Sequence, residues 1–262
     1  VIDVTDAGLD VSTGSPWLAM EFLDGETLTE RVERAGPLDH AAAIEVLVQM
    51  GHALGAAHAR GIVHRDVKPD NVFIAASQRR GVPFTVKILD FGIAKLVEDG
   101  KRSGTITEPI GTPMWLAPEQ AEQRGEVGPA TDVWALGLVA FYALVGKPFW
   151  RSAKDGRARM GPLLAEVMLE PIPSGSARAR ELEHVGSLPA GFDAWLARCL
   201  VRERQARWSN AAEAVAALVP PNADAAMATA VDERASGDAI SAARASSSTS
   251  AGARRRVAKT AP

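Results

Sequence analysis

The chain has 262 residues, 47% hydrophobic and 23% charged, with a formal net charge of −3, which supplies a globular core and gives no overall reason to expect nucleic acid or an acidic membrane as partner. Cys199 is the single cysteine, which excludes an internal disulfide and fits a reducing compartment, so we expect a cytoplasmic location. No run of about 18 apolar residues occurs, and the first residues are acidic, so neither a membrane span nor a signal peptide is predicted.

The first predicted elements are a strand and a long helix. "PWLAMEFLDG", residues 16–25, predicts a short buried strand that ends at an acidic glycine turn. From Leu38 to Gly61 the apolar residues recur at three-and-four spacing, which predicts an amphipathic helix with Asp39 as its N-cap and Gly61 at its end. The charged octet "HRDVKPDN", residues 64–71, therefore lies on a loop directly after a long helix.

Two short strands and a buried helix are predicted next. The runs "NVFIAA" (71–76) and "TVKILDF" (85–91) are β-prone and flank a polar connection suited to a hairpin. Residues 91–115 have no sustained hydrophobic period, which indicates a long surface segment, and loops of that length are usually functional. "DVWALGLVAFYALVG", residues 132–146, is apolar on nearly every face and predicts a helix that is buried all round.

The rest of the chain is predicted to contain short helices and a tail. Weaker helical patterns cover residues 157–169, 190–202 and 210–218. After Trp208 no aromatic residue occurs, and Ala, Ser, Thr and Arg dominate the end of the chain. Such a composition buries too little apolar area to offset the entropy lost on ordering, so residues 219–262 are predicted to form a disordered tail.

The octet concentrates the residue types that phosphoryl transfer requires. Asp66, Lys68 and Asn71 can present a base, a cation and a neutral oxygen ligand close to one another. The transferred group carries spread negative charge, so catalysis consists mainly of positioning and electrostatic compensation, while a carboxylate orients the attacking hydroxyl. Taken singly, these residues are most often turn or cap formers and solvated charges, so their interpretation depends on the motifs that accompany them.

Together with "LDFG" at 89–92 and "APE" at 117–119, the octet closely resembles the catalytic loop of protein kinases. The lysine two residues after Asp66 and the run "GTPMWLAPE" resemble the Ser/Thr branch, especially the eukaryotic-like kinases of bacteria. Related small-molecule phosphotransferases lack the "GTPxWxAPE" block, so the sequence favours a protein kinase over this alternative. The resemblance covers about residues 1–218 and implies an α+β, kinase-like fold. Its implied parts are a remnant of a β-rich small lobe with the hinge (1–24), a mainly helical large lobe (25–218) and the tail (219–262).

The resemblance implies ATP and Mg²⁺ as cofactors and proteins with Ser or Thr hydroxyls as substrates, and it allows a kinase dimer. Asp66 would accept or orient the proton of the substrate hydroxyl, and Lys68 would neutralise the γ-phosphate as it moves. Asn71 and Asp90 would hold Mg²⁺, a hard cation that prefers oxygen ligands.

The segment "AMEFL" resembles the hinge that binds adenine. The resemblance implies that Met20 is the gatekeeper and that the backbones of Glu21 and Leu23 bond the adenine. Phe73 would form the floor of the adenine site, where the family more often has leucine.

Further matches concern the activation segment. Arg65 resembles the arginine that grips a phosphorylated segment, with Thr105 and Thr107 as candidate phosphate acceptors. Thr112 resembles the threonine that contacts the catalytic aspartate and lysine. The remaining matches concern residues that hold the structure together. Glu119 and Arg207 resemble the ion pair that locks the end of the activation segment to the large lobe. Asp132 resembles the carboxylate that braces the backbone of the catalytic loop.

Two family features are absent from this sequence. Residues 1–20 contain no Gly-rich loop, and no lysine precedes Lys68, so the strand lysine that grips the α- and β-phosphates is missing. "VIDVTDAG" resembles the fourth strand of the family, which predicts that the sequence starts partway through the small lobe. We therefore expect this chain alone to bind ATP weakly. Two hypotheses stay open: the larger part of an active Ser/Thr kinase, or a non-catalytic kinase-lobe binding module.

Overall fold

The structure is a computed structural model that describes residues 1–77, 82–91, 113–122, 125–153 and 159–218. Its first element is a two-stranded antiparallel ribbon of β1 (Val4–Leu9) and β2 (Pro16–Met20). The cross-strand pairs Val4 with Met20, Ala7 with Leu18 and Leu9 with Pro16 share one face, because directly opposite residues point to the same side.

The prediction of a buried strand over residues 16–25 is wrong in its burial and in its end. The strand ends at Met20, and Leu18 and Met20 remain 58% and 44% exposed. A two-stranded ribbon cannot bury both faces, so its hydrophobic pattern overstated how much of it is covered.

The second sheet has three antiparallel strands in the order β3 (Gly25–Thr27), β4 (Val72–Ala76) and β5 (Phe84–Ile88). The two predicted strands at 71–76 and 85–91 are thus confirmed, but the second ends at Ile88, three residues before its predicted end. Gly25 permits the close approach of β3 to β4, since a Cβ there would lie 2.2 Å from the Ile74 carbonyl oxygen. The sheet leads from β5 directly to Asp90.

Helix α1 (Leu28–Ala35) and helix α2 (His40–His58) lie between β3 and β4 along the chain. Asp39 caps α2 by accepting a 2.8 Å hydrogen bond from the Ala42 amide, as predicted. The helix ends at His58, before the predicted Gly61, which adopts φ +73 in the turn beyond it. Helix α1 was not predicted, although its buried residues Leu28 and Val32 lie at helical spacing and Thr27 forms a capping box with Glu30.

Helix α2 also supports the outer edge of β5. Its Gln49 accepts a 2.7 Å hydrogen bond from the Val86 amide and donates a 3.2 Å bond to the Phe84 carbonyl. The side-chain amide of Gln49 thus makes the two hydrogen bonds that a further strand would make at this edge of β5.

Downstream helices surround one buried helix. Helix α3 (Pro118–Ala121) is short, and in α4 (Pro129–Val145) every residue from Ala130 to Val145 is buried, which confirms the predicted central helix. The remaining helices of the described residues are α5 (Met160–Met168), α6 (Gly175–Glu181), α7 (Phe192–Cys199) and α8 (Ala211–Leu218).

The glycine in the middle of α4 lets α7 approach it closely. A Cβ on Gly137 would lie 2.7 Å from the Cβ of Cys199, so a larger residue would push the two helices apart. Three of the later helices, α5, α7 and α8, fall within the weaker predicted patterns. None of the helices in the described part of the chain is both long and apolar enough to cross a lipid bilayer.

Candidate active site

The candidate site is built around Asp132, a carboxylate in the first turn of α4 that is 1% exposed. Its Oδ2 accepts 2.8 Å hydrogen bonds from the His64 backbone amide and from Nε2 of His58. Its Oδ1 accepts a 2.9 Å bond from the Arg65 amide. One buried carboxylate therefore anchors the loop backbone and the end of α2, and its charge is offset by three donors.

Arg65 adopts φ +66, in the left-handed region that non-glycine residues rarely occupy. Such a conformation persists where surrounding contacts hold it. Asp132 holds the Arg65 amide, and Nε2 of Gln120 donates a 2.7 Å hydrogen bond to the Arg65 carbonyl. The turn before Asp66 is therefore fixed from both sides.

His64 joins this loop to the segment that carries Asp90. Its Nε2 lies 2.8 Å from the Leu89 carbonyl oxygen, and its Nδ1 accepts a 3.3 Å bond from the Asp66 amide. These partners require a neutral ring with its proton on Nε2. Burial lowers the pKa of His64, which favours that form. The ring also packs against Phe91, with centroids 4.6 Å apart.

Asp66, Lys68 and Asn71 converge on one point of the loop. The Lys68 Nζ lies 3.0 Å from Asp66 Oδ2. Nδ2 of Asn71 donates to the Asp66 carbonyl at 2.8 Å and to Asp66 Oδ2 at 3.1 Å. The side chains of Lys68 and Asp66 are 18% and 22% exposed, so the cluster is partly open to solvent.

Asp90 follows a residue that is tied to the same loop. The Leu89 amide donates a 2.9 Å hydrogen bond to the Asn71 carbonyl, and Asp90 itself is exposed with φ +48. The described residues contain no group of three or more His, Cys, Asp or Glu that could hold a metal. The Asp90 carboxylate and the Asn71 amide oxygen still suit Mg²⁺, which is usually bound by one or two protein oxygens, several waters and substrate phosphates.

The predicted hinge lies beside the second sheet. The Glu21 carboxylate accepts a 2.7 Å hydrogen bond from Lys87 Nζ on β5 and a 2.9 Å bond from the Asp3 amide. The bond from Lys87 lowers the pKa of Glu21. Lys87 pairs in register with Phe73, so this ion pair links the hinge to the strand that carries the predicted adenine floor. Met20 ends β2 and is 44% exposed, and Leu23 follows at partial burial.

Glu119 and Arg207 form a buried ion pair, as predicted. Arg207 donates 2.8 Å hydrogen bonds from both terminal nitrogens, one to each carboxylate oxygen, and Thr131 donates a further 2.7 Å bond. Burial alone would raise the pKa of Glu119, but the bonds and charge of Arg207 leave the pKa below its ordinary value. The predicted activation-segment threonines Thr105, Thr107 and Thr112 lie outside the described residues.

His58 and Gln120 are among the residues of the site that the sequence did not indicate. His58 is the last residue of α2, where the sequence gives no sign of a buried hydrogen-bond partner, and Gln120 directly follows the "APE" motif. Neither belongs to a pattern whose chemistry requires it. Their roles follow only from contacts between segments that are far apart in the chain.

Comparison with known proteins gives one consistent result. The family described as "Protein kinase domain" matches residues 4–218. Ser/Thr-protein kinase Pkn1 of Myxococcus xanthus is 42% identical over 181 residues, covering 68% of this chain and 25% of Pkn1. Ser/Thr-protein kinase PknB of Mycobacterium tuberculosis is 39% identical over 206 residues, covering 78% of this chain and 30% of PknB. The chain thus spans about a quarter to a third of the length of these relatives.

Solved structures agree on the fold. The crystal structure of the Mycobacterium tuberculosis PknI kinase domain aligns with a TM-score of 0.57 at 25% identity, covering 83% of this chain and 69% of that one. Rad53 residues 1–466, solved in complex with AMP-PNP, aligns with a TM-score of 0.62 at 23% identity, covering 82% and 49%. The second likeness concerns the fold alone.

Proposed function

Because the chain belongs to the protein kinase domain family, we propose that its site transfers the γ-phosphoryl group of ATP to Ser or Thr hydroxyls of proteins. The observation that carries this proposal is the convergence of Asp66, Lys68 and Asn71, with Asp90 next to a residue tied to the same loop. A carboxylate base, an ammonium and oxygen ligands for Mg²⁺ are what phosphoryl transfer requires.

Each residue of the cluster has a defined task. The Asp66 carboxylate accepts a hydrogen bond from the substrate hydroxyl and orients its oxygen for attack. Asn71 donates to Asp66 Oδ2 and thereby holds that carboxylate in one rotamer. The Lys68 ammonium, 3.0 Å from Asp66, compensates the charge of the transferred group. Bound Mg²⁺ would neutralise the phosphates, and Asn71 and Asp90 are the residues that would hold it.

We place the nucleotide base at the hinge, with Met20 as gatekeeper, Glu21 and Leu23 as backbone partners and Phe73 as the floor. The Glu21–Lys87 pair supports this placement, because it keeps the hinge against the sheet that contains Phe73. A hinge that is fixed before binding loses less entropy when adenine arrives.

For the activation segment, we propose that Arg65 binds a phosphate on Thr105 or Thr107 and that Thr112 contacts Asp66 and Lys68. The proposal for Arg65 is supported by its position next to Asp66, since a phosphate gripped there orders the site itself. We also retain the boundaries 1–24, 25–218 and 219–262, a cytoplasmic location and a kinase dimer as predictions.

A second candidate function is a non-catalytic binding module. The observation that favours it is the exposed apolar face of the β1–β2 ribbon, a surface that a partner could cover. Phosphoryl transfer activity of the full-length protein distinguishes the two candidates.

The test compares the wild-type protein with Asp66→Asn in both the full-length protein and this chain. Each is incubated with labelled ATP, Mg²⁺ and a generic basic protein. We expect transfer by the full-length wild type, loss of transfer in Asp66→Asn, and unchanged transfer in the control Asp6→Asn on exposed β1. Equal transfer by wild type and Asp66→Asn contradicts the assigned base. No transfer by the folded full-length wild type favours the binding module.

A further inference from the structure

Gln120 uses both ends of its side-chain amide. Its Oε1 accepts a 3.0 Å hydrogen bond from the Ala117 amide, and its Nε2 donates a 2.7 Å bond to the Arg65 carbonyl. Because the bond from the Ala117 amide orients the side-chain amide of Gln120, its Nε2 is already in position to donate to the Arg65 carbonyl. Gln120 therefore connects two segments that are 55 residues apart in the chain.

The bond from Gln120 falls on the peptide group that directly precedes the proposed base. The carbonyl of Arg65 and the amide of Asp66 belong to the same planar unit. Gln120 holds the carbonyl side of this unit, and Nδ1 of His64 accepts from its amide side at 3.3 Å. Rotation of this peptide would turn the Cα–Cβ bond of Asp66, and with it the carboxylate.

This peptide also needs external support. Arg65 is held at φ +66, and left-handed conformations cost non-glycine residues free energy unless neighbours stabilise them. Asp132 stabilises the peptide before Arg65 through the Arg65 amide at 2.9 Å. Gln120 stabilises the peptide after it, whereas the bonds of Asp132 to the loop go to the amides of His64 and Arg65.

Gln120 brings the loop into contact with the segment that precedes α3. The same side chain binds the Ala117 amide, and the segment is anchored on the large lobe by Trp150, whose Nε1 donates 2.9 Å to the Met114 carbonyl. Trp115 of this segment packs edge-on against Tyr142 of α4. The geometry points to Gln120 as a positioning residue that sets the orientation of Asp66 from this segment, a role that rests on the proposed function.

Only an amide satisfies both bonds. In Gln120→Glu the acceptor for Ala117 is kept, but a carboxylate oxygen replaces the donor and faces the Arg65 carbonyl oxygen. In Gln120→Leu the bulk is kept and both bonds are lost. Gln205→Glu makes the first of these changes at an exposed position of the 204–206 turn and serves as the control.

The experiment measures two quantities on the full-length protein. The first is the steady-state kinetics of phosphoryl transfer, and the second is amide hydrogen exchange of the peptide that contains residues 62–72. We expect Gln120→Glu and Gln120→Leu to lower kcat about tenfold or more, because one well-oriented hydrogen bond is worth about that factor, with the KM for ATP changed less than about twofold. Exchange of the 62–72 peptide should accelerate, while peptides of α4 and the control protein stay unchanged.

The two readouts separate the possible failures. Unchanged exchange in both Gln120 variants overturns the inference, and so does faster exchange with an unchanged kcat in an active enzyme. A fall in kcat that accompanies faster exchange across α4 also overturns it, because the role is then general stability. If the wild type transfers no phosphate, the proposed function fails by itself, and unchanged or altered loop exchange still decides whether Gln120 holds the loop.

Discussion

Arg207 and Glu119 lie 88 positions apart in the chain and meet through two hydrogen bonds of 2.8 Å each. The Arg207 side chain is fully buried and that of Glu119 is 9% exposed. Two parallel bonds between a guanidinium and a carboxylate fix both distance and orientation. The contact therefore attaches helix α3, and Gln120 within it, to the segment between α7 and α8.

Neutralising Glu119 should strongly destabilise the protein. We expect Glu119→Gln to lower the free energy of unfolding by about 3 to 5 kcal/mol, since Arg207 is left as an uncompensated buried charge. Glu126→Gln is the control, because Glu126 pairs with Arg204 at 2.8 Å while its side chain is 84% exposed. Such exposed pairs contribute about 0 to 1 kcal/mol. Urea denaturation measures both, and equal losses would show that the Glu119 pair adds no special stability.

Stability should fall on acidification because of His64. Its pKa lies below the ordinary value of 6.5, since burial disfavours the charged ring. Between pH 6.5 and the lowered pKa, His64 binds a proton in the unfolded chain but not in the folded protein. The neutral His64 ring therefore contributes its full stabilisation above pH 6.5, and this stabilisation is lost as the pH falls through that range. The slope is at most about 1.4 kcal/mol per pH unit for one proton.

The measurement is urea denaturation at several pH values between about 5 and 8. His64→Phe keeps a ring of similar shape that cannot bind a proton, so its curve should be flatter between pH 6.5 and the lowered pKa, even though its absolute stability is lower. Identical slopes for wild type and variant would assign the acid sensitivity to other groups, such as the carboxylate of Glu119.

His58 should matter although it lies outside the recognisable motifs. It donates to Asp132 at 2.8 Å, and its Nδ1 accepts from the Ala211 amide at 3.4 Å. We expect His58→Leu to cost about 1 to 3 kcal/mol, the usual penalty for leaving buried polar groups without partners. His52→Leu is the matched change at an exposed position of α2 and should stay within about 0.5 kcal/mol. Thermal or urea unfolding compares the two variants, and similar losses would contradict the role of the His58 contacts.

Asp90→Asn should weaken nucleotide binding only when metal is present. Asparagine accepts the left-handed conformation seen at Asp90, φ +48, and the residue is exposed, so stability should change little. Loss of one ligand charge should reduce the affinity for Mg²⁺–ATP about tenfold or more. Calorimetric titration with and without Mg²⁺ checks this, and an equal loss in the absence of metal would mean that Asp90 does not act through Mg²⁺.

The local patterns predicted several elements correctly. The run at 132–146, apolar on nearly every face, predicted a buried helix, and α4 is buried from Ala130 to Val145. Asp39 was identifiable as a cap because its side chain bonds an amide three residues away. The ribbon strand at 16–20 misled the same reasoning, since a short apolar run shows where a chain can be buried and not whether another element covers it.

By itself, the sequence determined the kinase family and the set of charged residues in the octet, because short motifs can be recognised from the order and spacing of residues along the chain. Only the tertiary structure decided which donors meet which acceptors: His58 with Asp132, Gln120 with the Arg65 carbonyl, Lys87 with Glu21. Those contacts join segments 55 to 74 residues apart. Helix packing brings such segments together, and a hydrogen bond forms only when donor and acceptor are in direct contact, so no pattern of neighbouring residues can specify these pairs.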